Sequence, residues 1–372
     1  MAVKQKAFNL SSKAKPDYTF LIIVLMLLCY GLIMVFSASS ALAHYRYDDA
    51  YYFIKRQFAW ALIGLVIMFA VSRISYKTIY KYALHIMAIS IVLLIAVPLV
   101  GMEVNGAKRW LGFGSFSFQP SEVAKFAIIV FLARSLTVNT QALKTFSKGF
   151  LPYIIIIGLL AILVFIEPHL SAAIVIALVG FIVLWSAGAK ISHFIAIGIP
   201  AVAVAVIAMM SAEYRMERVM TFFDPFKDMS GDGYQIVQSL YAIGSGGFWG
   251  MGLGQSRQKF LYLPEPQNDF IFSVICEELG FIGALLVVAL FTMLIWRGVK
   301  VAVHAPDKFS KLIVIGIIGL IAVQVIINIA VVTSSIPATG MPLPFFSYGG
   351  TSLVFILAEM GVVLSVSREC EI

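Results

Sequence analysis

The run YTFLIIVLMLLCYGLIMVFSA, residues 18–38, contains no charged residue. A helix that spans the hydrocarbon core of a bilayer needs about 20 mostly apolar residues, and this run has that length. Similar runs recur along the rest of the chain. The sequence therefore predicts an all-α integral membrane protein with about ten transmembrane helices. The predicted spans are 18–38, 57–72, 80–100, 120–137, 150–166, 170–188, 191–211, 269–296, 311–334 and 351–367.

The composition excludes an ordinary soluble protein. Of the 372 residues, 61% are hydrophobic and 12% are charged, whereas soluble domains carry about 25% charged residues. The net charge of +8 indicates topology rather than nucleic-acid binding, because the basic residues lie in short loops between apolar runs. More than half of the 27 basic residues fall on the inside if both termini are cytoplasmic. A nine-span chain with one re-entrant run is the alternative.

The predicted organisation is one membrane domain with short tails. Residues 1–17 form a cytoplasmic tail, because they lack the short apolar core and cleavage site of a signal peptide. Residues 18–367 form the membrane domain, and residues 368–372 form a cytoplasmic tail. Residues 212–268 form an external loop between the seventh and eighth spans, and its glycines and aromatics are typical of a functional loop.

A second irregular segment, SSIPATGMPLPFFSYGGTS at 334–352, carries no charge. Irregular backbone near membrane depth is stable only against protein or a water-filled cavity. The three cysteines are far apart and predict neither a disulfide framework nor a zinc site. The five histidines are scattered, so the sequence requires no metal, although a divalent cation (Mg²⁺ or Mn²⁺) is compatible with it.

Polar side chains collect at the predicted external side of the membrane. A mostly basic, aromatic-rich mouth favours an anionic and partly apolar ligand, such as a lipid-linked phosphate or pyrophosphate. Each residue also has a structural explanation: snorkelling to headgroups, a helix-dipole partner at Glu122 with its i+3 neighbour Lys125, or a solvated charged face. The candidate ligand-binding residues are Arg56, Lys108, Arg109, Gln119, Glu122, Lys125, Arg215, Arg218, Gln238, Ser239, Lys259 and Glu265.

Asp269 is the candidate catalytic residue, and it begins the eighth predicted helix. One interpretation is a general base that faces the external cavity. The other is a helix N-cap, since aspartate is favoured there. Apolar neighbours would raise the pKa of its carboxyl group, and the helix dipole and basic mouth would lower it. The sequence leaves both interpretations open.

Three carboxylates lie inside predicted spans, at Glu277, Glu278 and Glu359. Intramembrane carboxylates are costly and are functional candidates by default. Pairing with another helix is the structural alternative. Gln324 and Asn328 are one turn apart, and we expect them to form hydrogen bonds between helices rather than to contact substrate.

Three separated motifs resemble one family. They are GMGLGQSRQKFLYLPEPQNDFIFSVICEELGFIG at 250–283, QPSEVAKFAIIVFLAR at 119–134 and PLPFFSYGGTS at 342–352. The chain resembles the FtsW/RodA/SpoVE proteins, also called SEDS proteins, from about residue 18 to residue 368. The residues of its motifs resemble the FtsW and SpoVE branch more closely than the RodA branch.

The resemblance implies a ten-helix fold and a peptidoglycan glycosyltransferase that uses lipid II at the bacterial cytoplasmic membrane, at the division septum. The essential aspartate of the family falls on Asp269, its helix-2 arginine on Arg56, and its Glu–Lys pair on Glu122 and Lys125. The resemblance also implies a class B penicillin-binding protein transpeptidase and other divisome membrane proteins as partners, with no nucleic acid. The rival interpretations are a lipid II flippase, which Glu277, Glu278 and Glu359 would suit, and a non-catalytic divisome scaffold.

Some positions depart from the family pattern. Asn268 stands where the family commonly has threonine, and Ala338 alters the family's PVTG motif only mildly. His169 stands where the family has an acidic residue, in the turn that reads Glu167-Pro-His-Leu-Ser. This last change argues against an essential acid–base role for that turn.

Overall fold

A computed structural model describes residues 15–104, 107–113, 116–138, 143–210, 222–227, 233–260 and 262–370. Each of the ten predicted spans contains a helix, and the bounds agree to within a few residues at most ends. The first helix is the main exception, because it continues nine residues beyond its predicted end. In chain order the helices are α1 (Tyr18–Tyr47), α2 (Tyr52–Arg73), α3 (Tyr76–Val100), α4 (Pro120–Val138), α5 (Leu151–Ile166), α6 (Leu170–Ser186), α7 (Ile191–Met210), α8 (Tyr234–Gly246), α9 (Ile271–Val303), α10 (Lys308–Val332) and α11 (Gly350–Ser367).

Within the described residues, seven helical segments are long and apolar enough to cross a membrane, so the chain is a multi-pass membrane protein. Six of them are α1, α2, α3, α9, α10 and α11. The seventh is α5 together with the π-helical turn that precedes it (Phe146–Phe150). The apolar helix α6 and the apolar part of α7 are shorter. Helix α4 contains the charged residues Glu122, Lys125 and Arg134. The count of ten spans and the cytoplasmic placement of both termini stay predictions.

The expectation of an all-α fold is wrong in one segment. Three short strands, β1 (Met102–Val104), β2 (Ala107–Phe113) and β3 (Phe116–Phe118), form an antiparallel sheet between α3 and α4. Val104 pairs with Ala107, and Phe113 pairs with Phe116, so each pair of strands is a tight hairpin. The strands carry Lys108 and Arg109 into place beside the helix bundle.

The predicted external loop at 212–268 is also more regular than expected, because it contains helix α8. Gly246 and Gly250 bring the segment after α8 against α9, where an added Cβ would collide with the carbonyl groups of Cys276 and Glu278. Helix α9 is interrupted at the same level by Gly280, which has φ +63°. The glycine-rich run therefore permits close packing of the backbone against α9.

Helix α10 is central in the bundle, because it contacts α4, α6, α9 and α11. Helix α11 packs tightly along α2, since an added Cβ at Gly361 would lie 2.6 Å from the carbonyl oxygen of Met68. Helices α2, α4, α6, α9 and α11 all begin at the same end of the bundle, and α3, α5 and α10 end there. We call this the site end, because the polar residues described below gather there.

Candidate active site

Two cavities open at the site end. The smaller cavity has a volume of about 330 Å³ and the larger one about 560 Å³. Four residues line both cavities: Arg109, His169, Asp269 and Gly340. We call this shared wall the junction. Because the junction separates the two cavities, two ligands, one bound in each cavity, would meet beside the carboxylate of Asp269.

The carboxylate of Asp269 is not used as a helix cap. Helix α9 begins at Ile271, its N-cap residue is Phe270, and no side chain caps it. No protein group in the described part of the chain donates a hydrogen bond to the carboxylate. A Cβ added at Gly340 would lie 3.1 Å from Oδ2 of Asp269, so the glycine leaves space beside that oxygen. The geometry therefore favours the interpretation as a base over the N-cap alternative.

The backbone around Asp269 is held from two sides. Asn328 on α10 donates from Nδ2 to the carbonyl oxygens of Asp269 (2.8 Å) and Met341 (2.7 Å). The hydroxyl of Ser347 donates to the carbonyl oxygen of Asn268 (2.7 Å), and the backbone amide of Tyr348 donates to the carbonyl oxygen of Gln267 (2.8 Å). Asn328 therefore forms hydrogen bonds as expected, but both partners lie in non-helical segments rather than on another helix, and Gln324 lines the larger cavity. The same contacts place the uncharged segment 334–352 against protein and cavity, as predicted.

Burial dominates the acidity of Asp269. It raises the pKa of this carboxyl group to about 6, with a further increase from the nearby charge of Glu265 and an opposing decrease from Arg109. A carboxyl group with this pKa is mostly ionised near neutral pH and can still accept a proton. Desolvation of the Asp269 carboxyl group therefore outweighs the opposing effect of the nearby basic charge.

The larger cavity is lined by four cationic side chains, Arg46, Arg56, Arg109 and Lys125. Lys125 is buried and forms a 2.8 Å ion pair with Glu122, one turn away on α4, which confirms the predicted i, i+3 pair. Arg46 lies 3.9 Å from Glu265. The cavity thus combines cations that suit an anionic ligand with carboxylates that balance part of their charge.

Arg56 has a different environment from the other cations. Its guanidinium lies over the ring of Tyr52, 4.3 Å from the ring centre, and its charge acts on the nearby hydroxyl of Tyr348. Among the described residues, no carboxylate pairs with it. Arg56 is therefore held in place while its charge is available to a ligand.

Several polar atoms near Asp269 are buried without a hydrogen-bond partner in the described structure. They include Gln267 Oε1, Asn268 Oδ1 and Thr339 Oγ1, all on residues that line one of the cavities. Native proteins leave few such atoms unsatisfied, and those that remain call for an explanation. A hydroxyl-rich ligand in the cavities would supply the missing partners.

Unusual backbone conformations also concentrate here. Five non-glycine residues in the described structure have positive φ, and Glu265, Ser334 and Phe345 among them line the cavities. Such conformations cost free energy and cluster at functional sites. The pattern independently marks this end of the bundle as the functional one.

Arg109 fastens the β-sheet to the turn between α5 and α6. Its guanidinium donates to the carbonyl oxygens of Glu167 (3.3 Å) and Pro168. The Glu167 carboxyl group is buried, and no group in the described part of the chain forms a hydrogen bond with it. Burial raises the pKa of Glu167 to about 8, against the opposing effect of Arg109, so the group is mostly protonated at neutral pH. The turn therefore adds little negative charge to the junction.

Several predicted site residues lie away from both cavities. Lys259 is buried, and it forms a 2.8 Å ion pair with Glu278 rather than facing a cavity. Ser239 forms hydrogen bonds with Ser273 (2.6 Å) and with the carbonyl oxygen of Val332 (2.7 Å). These placements do not support the interpretation of Lys259 and Ser239 as substrate ligands.

The other predicted residues divide between the cavities and elsewhere. Gln119, Glu122, Lys125 and Glu265 line the larger cavity. Lys108 is exposed on β2 opposite Glu103, and neither it nor Gln238 is among the residues that line the cavities. Arg215 and Arg218 lie outside the described residues.

The intramembrane carboxylates Glu277 and Glu278 have structural partners. Glu277 accepts hydrogen bonds from the hydroxyl of Ser256 and the backbone amide of Arg257, the latter at 2.8 Å. Glu278 accepts from the hydroxyl of Ser37 (2.5 Å) and from Lys259. Both carboxylates therefore attach the glycine-rich segment after α8 to α9, and Glu278 also attaches it to α1.

Sequence reasoning missed Arg46, Trp60 and Gln267, which all line the larger cavity. It noted His169 only as a departure from a family pattern. Arg46 follows the predicted end of the first span, so the extra turns of α1 that carry it to the cavity were not foreseen. Its basic side chain among the five aromatic residues of YRYDDAYYF (45–53) was the available signal.

The chain matches a sequence model of a protein family, FtsW/RodA/SpoVE, described as "Cell cycle protein", over residues 18–372. Stage V sporulation protein E of Bacillus subtilis (strain 168) is 46% identical over 360 residues, covering 96% of this chain and 98% of that protein. A probable peptidoglycan glycosyltransferase FtsW of Geobacter sulfurreducens is 39% identical over 361 residues, covering 96% and 97%.

Two solved structures share the fold. One, reported as "Structural coordination of polymerization and crosslinking by a peptidoglycan synthase complex", matches with a TM-score of 0.81 and 28% identity, covering 95% of this chain and 98% of the other. The rod shape determining protein RodA of Thermus thermophilus matches with a TM-score of 0.71 and 26% identity, covering 96% and 98%. The chain therefore belongs to the FtsW/RodA/SpoVE family of cell cycle proteins.

Proposed function

We propose that this protein is a peptidoglycan glycosyltransferase that polymerises lipid II into β-1,4-linked glycan strands. The observation that carries the proposal is the position of Asp269, whose carboxylate accepts no hydrogen bond from the described residues and lies at the junction of two cavities, one of them lined by cations. The names of the relatives support the same reaction class, since several are called probable peptidoglycan glycosyltransferase FtsW.

The proposed reaction joins one sugar from each of two lipid-linked substrates. Asp269 takes the proton from the acceptor hydroxyl, and that oxygen attacks the anomeric carbon of the donor with inversion. The donor's bond to its pyrophosphate breaks, and the pyrophosphate leaves with the negative charge. Arg56, Arg109 and Lys125 in the larger cavity are the proposed ligands of this leaving group, because arginine and lysine bind phosphate oxygens well.

A transporter of lipid II is the weaker proposal. Two of the three carboxylates that would suit it, Glu277 and Glu278, are engaged in contacts that join the segment after α8 to α9. The polar cavity residues are instead concentrated at one end of the bundle.

We also propose a class B penicillin-binding protein as partner at the division septum, supported by the fold shared with a component of a peptidoglycan synthase complex.

The test of the function is polymerisation of labelled lipid II by the purified protein together with its transpeptidase. The transpeptidase is inactivated by a β-lactam, so that any product is uncrosslinked glycan. Polymer that a muramidase digests is the expected product. Translocation of lipid II across liposomes without any polymer would contradict the enzymatic assignment and favour the transporter.

Arg56→Gln is expected to raise the KM for lipid II by about 10- to 100-fold, the effect of losing a hydrogen bond to a charged group. Lys55→Gln is the matched control, because Lys55 is exposed on the same helix, pairs with Asp49 at 2.8 Å and lies outside both cavities. Initial rates over a range of lipid II concentrations measure both variants. Equal KM values for the two would remove Arg56 from the pyrophosphate site.

A further inference from the structure

His169 is a junction residue to which the proposed reaction assigns no role. It lies in the turn between α5 and α6 and lines both cavities together with Asp269 and Arg109. It occupies the N-cap position of α6, yet its side chain makes no capping hydrogen bond. The imidazole is therefore not explained by the stability of that helix.

The ring is held through one nitrogen. Nδ1 lies 3.0 Å from Nε2 of Gln119 and 3.5 Å from the hydroxyl of Ser121. An amide nitrogen only donates, so Nδ1 accepts and the proton of a neutral ring resides on Nε2. Burial, together with the charges of Arg109 and Lys125, lowers the pKa of His169 to about 3. The imidazole is thus neutral at physiological pH.

The backbone of the turn is fixed as well. Arg109 binds the carbonyl groups of the two preceding residues, and the amide of His169 donates to the carbonyl oxygen of Val164. Among the residues that the structure describes, no group accepts a hydrogen bond from Nε2 of His169. A fixed, neutral N–H donor in the wall of both cavities is therefore available to a ligand.

We propose that His169 binds an oxygen of the lipid-linked sugar through its Nε2–H and so positions that sugar beside Asp269. The inference rests on the proposed function and adds a residue that determines how the glycan is held. A neutral donor suits a sugar hydroxyl or acetamide oxygen, which carries no net charge. It also adds no negative charge beside Asp269, where a carboxylate would oppose ionisation of the base.

The test compares His169→Ala, which removes the donor, with His169→Gln, whose side-chain amide restores an N–H at the distance of Nε2. Equilibrium binding of fluorescent lipid II and initial polymerisation rates are both measured. His169→Ala is expected to weaken binding by about 5- to 10-fold, the effect of one neutral hydrogen bond, and His169→Gln to recover most of the loss. His304→Ala, at the opposite end of α9, is the control.

Two results would overturn the inference. Unchanged lipid II binding by His169→Ala would show that the imidazole makes no contact with substrate. Equal loss in the alanine and glutamine variants, with unchanged thermal unfolding, would show that the donor is not what matters. Neither result affects the proposed function, which fails only if the wild type binds lipid II but makes no polymer.

Discussion

Asp269→Asn is expected to lower the rate of glycan polymerisation by about 10²- to 10⁴-fold, the usual contribution of a positioned general base. Asparagine has nearly the same shape, but its amide cannot accept the proton of the acceptor hydroxyl. The carboxylate makes no capping hydrogen bond to α9, so folding does not depend on it. Polymer formation from labelled lipid II measures the loss, and thermal unfolding and lipid II binding show that the variant is intact.

Asp49→Asn is the matched control for this substitution. Asp49 also lies at the site end, but it pairs with the exposed Lys55 and is outside both cavities. This variant is expected to polymerise at the wild-type rate. Near-normal polymerisation by Asp269→Asn would exclude Asp269 as the base.

Lys259→Met is expected to destabilise the fold by about 3–5 kcal/mol, the cost of leaving one charge of a buried ion pair without its partner. Lys259 is only 2% exposed, and its partner Glu278 is fully buried. The substitution keeps an unbranched side chain only one atom shorter but leaves the Glu278 carboxylate uncompensated. The midpoint of thermal unfolding in detergent is the measurement.

Two further variants make this test specific. Lys55→Met removes an exposed ion pair at the same N···O distance of 2.8 Å, and we expect a cost of about 0–1 kcal/mol. Adding Glu278→Gln to Lys259→Met removes the unpaired charge and is expected to recover most of the stability. If Lys259→Met unfolds at the wild-type temperature, the pair does not hold the segment after α8.

Hydropathy located the helices because a bilayer imposes a length on every apolar span. It did not locate the strands between α3 and α4, which are short and lack a long alternating pattern. The signal was nevertheless present in the sequence, since the dipeptide Asn105-Gly106 is typical of two-residue hairpin turns and lies between the paired residues Val104 and Ala107. The apolar runs on both sides of this segment favour helices, so the sequence analysis predicted no strands there.

The chemistry of the site was harder to predict than its location. Arg109 and Lys259 are both basic residues in loops, and the sequence treats them alike. The structure places Arg109 at the junction and buries Lys259 against Glu278. The difference depends on which distant groups each one meets, since Arg109 donates to the backbone carbonyls of Glu167 and Pro168 and Lys259 pairs with Glu278, and spacing along the chain does not contain that information.

Local spacing was a better guide where both partners share a helix. The Glu122–Lys125 pair follows from three-residue spacing, and it is present. Asp269 was predicted from its position at the start of a helix after a functional loop. Whether it capped that helix depended on the N-terminal geometry of α9, which only the fold supplies.

The pH dependence of kcat/KM for lipid II polymerisation tests the central claim most directly. Burial raises the pKa of Asp269 to about 6, and a base must be ionised to act. The wild-type value is therefore predicted to rise with pH through an apparent pKa near 6 and to level off above it, whereas the residual activity of Asp269→Asn lacks this rise. The same rise in both proteins, or none in the wild type, would contradict Asp269 as the general base.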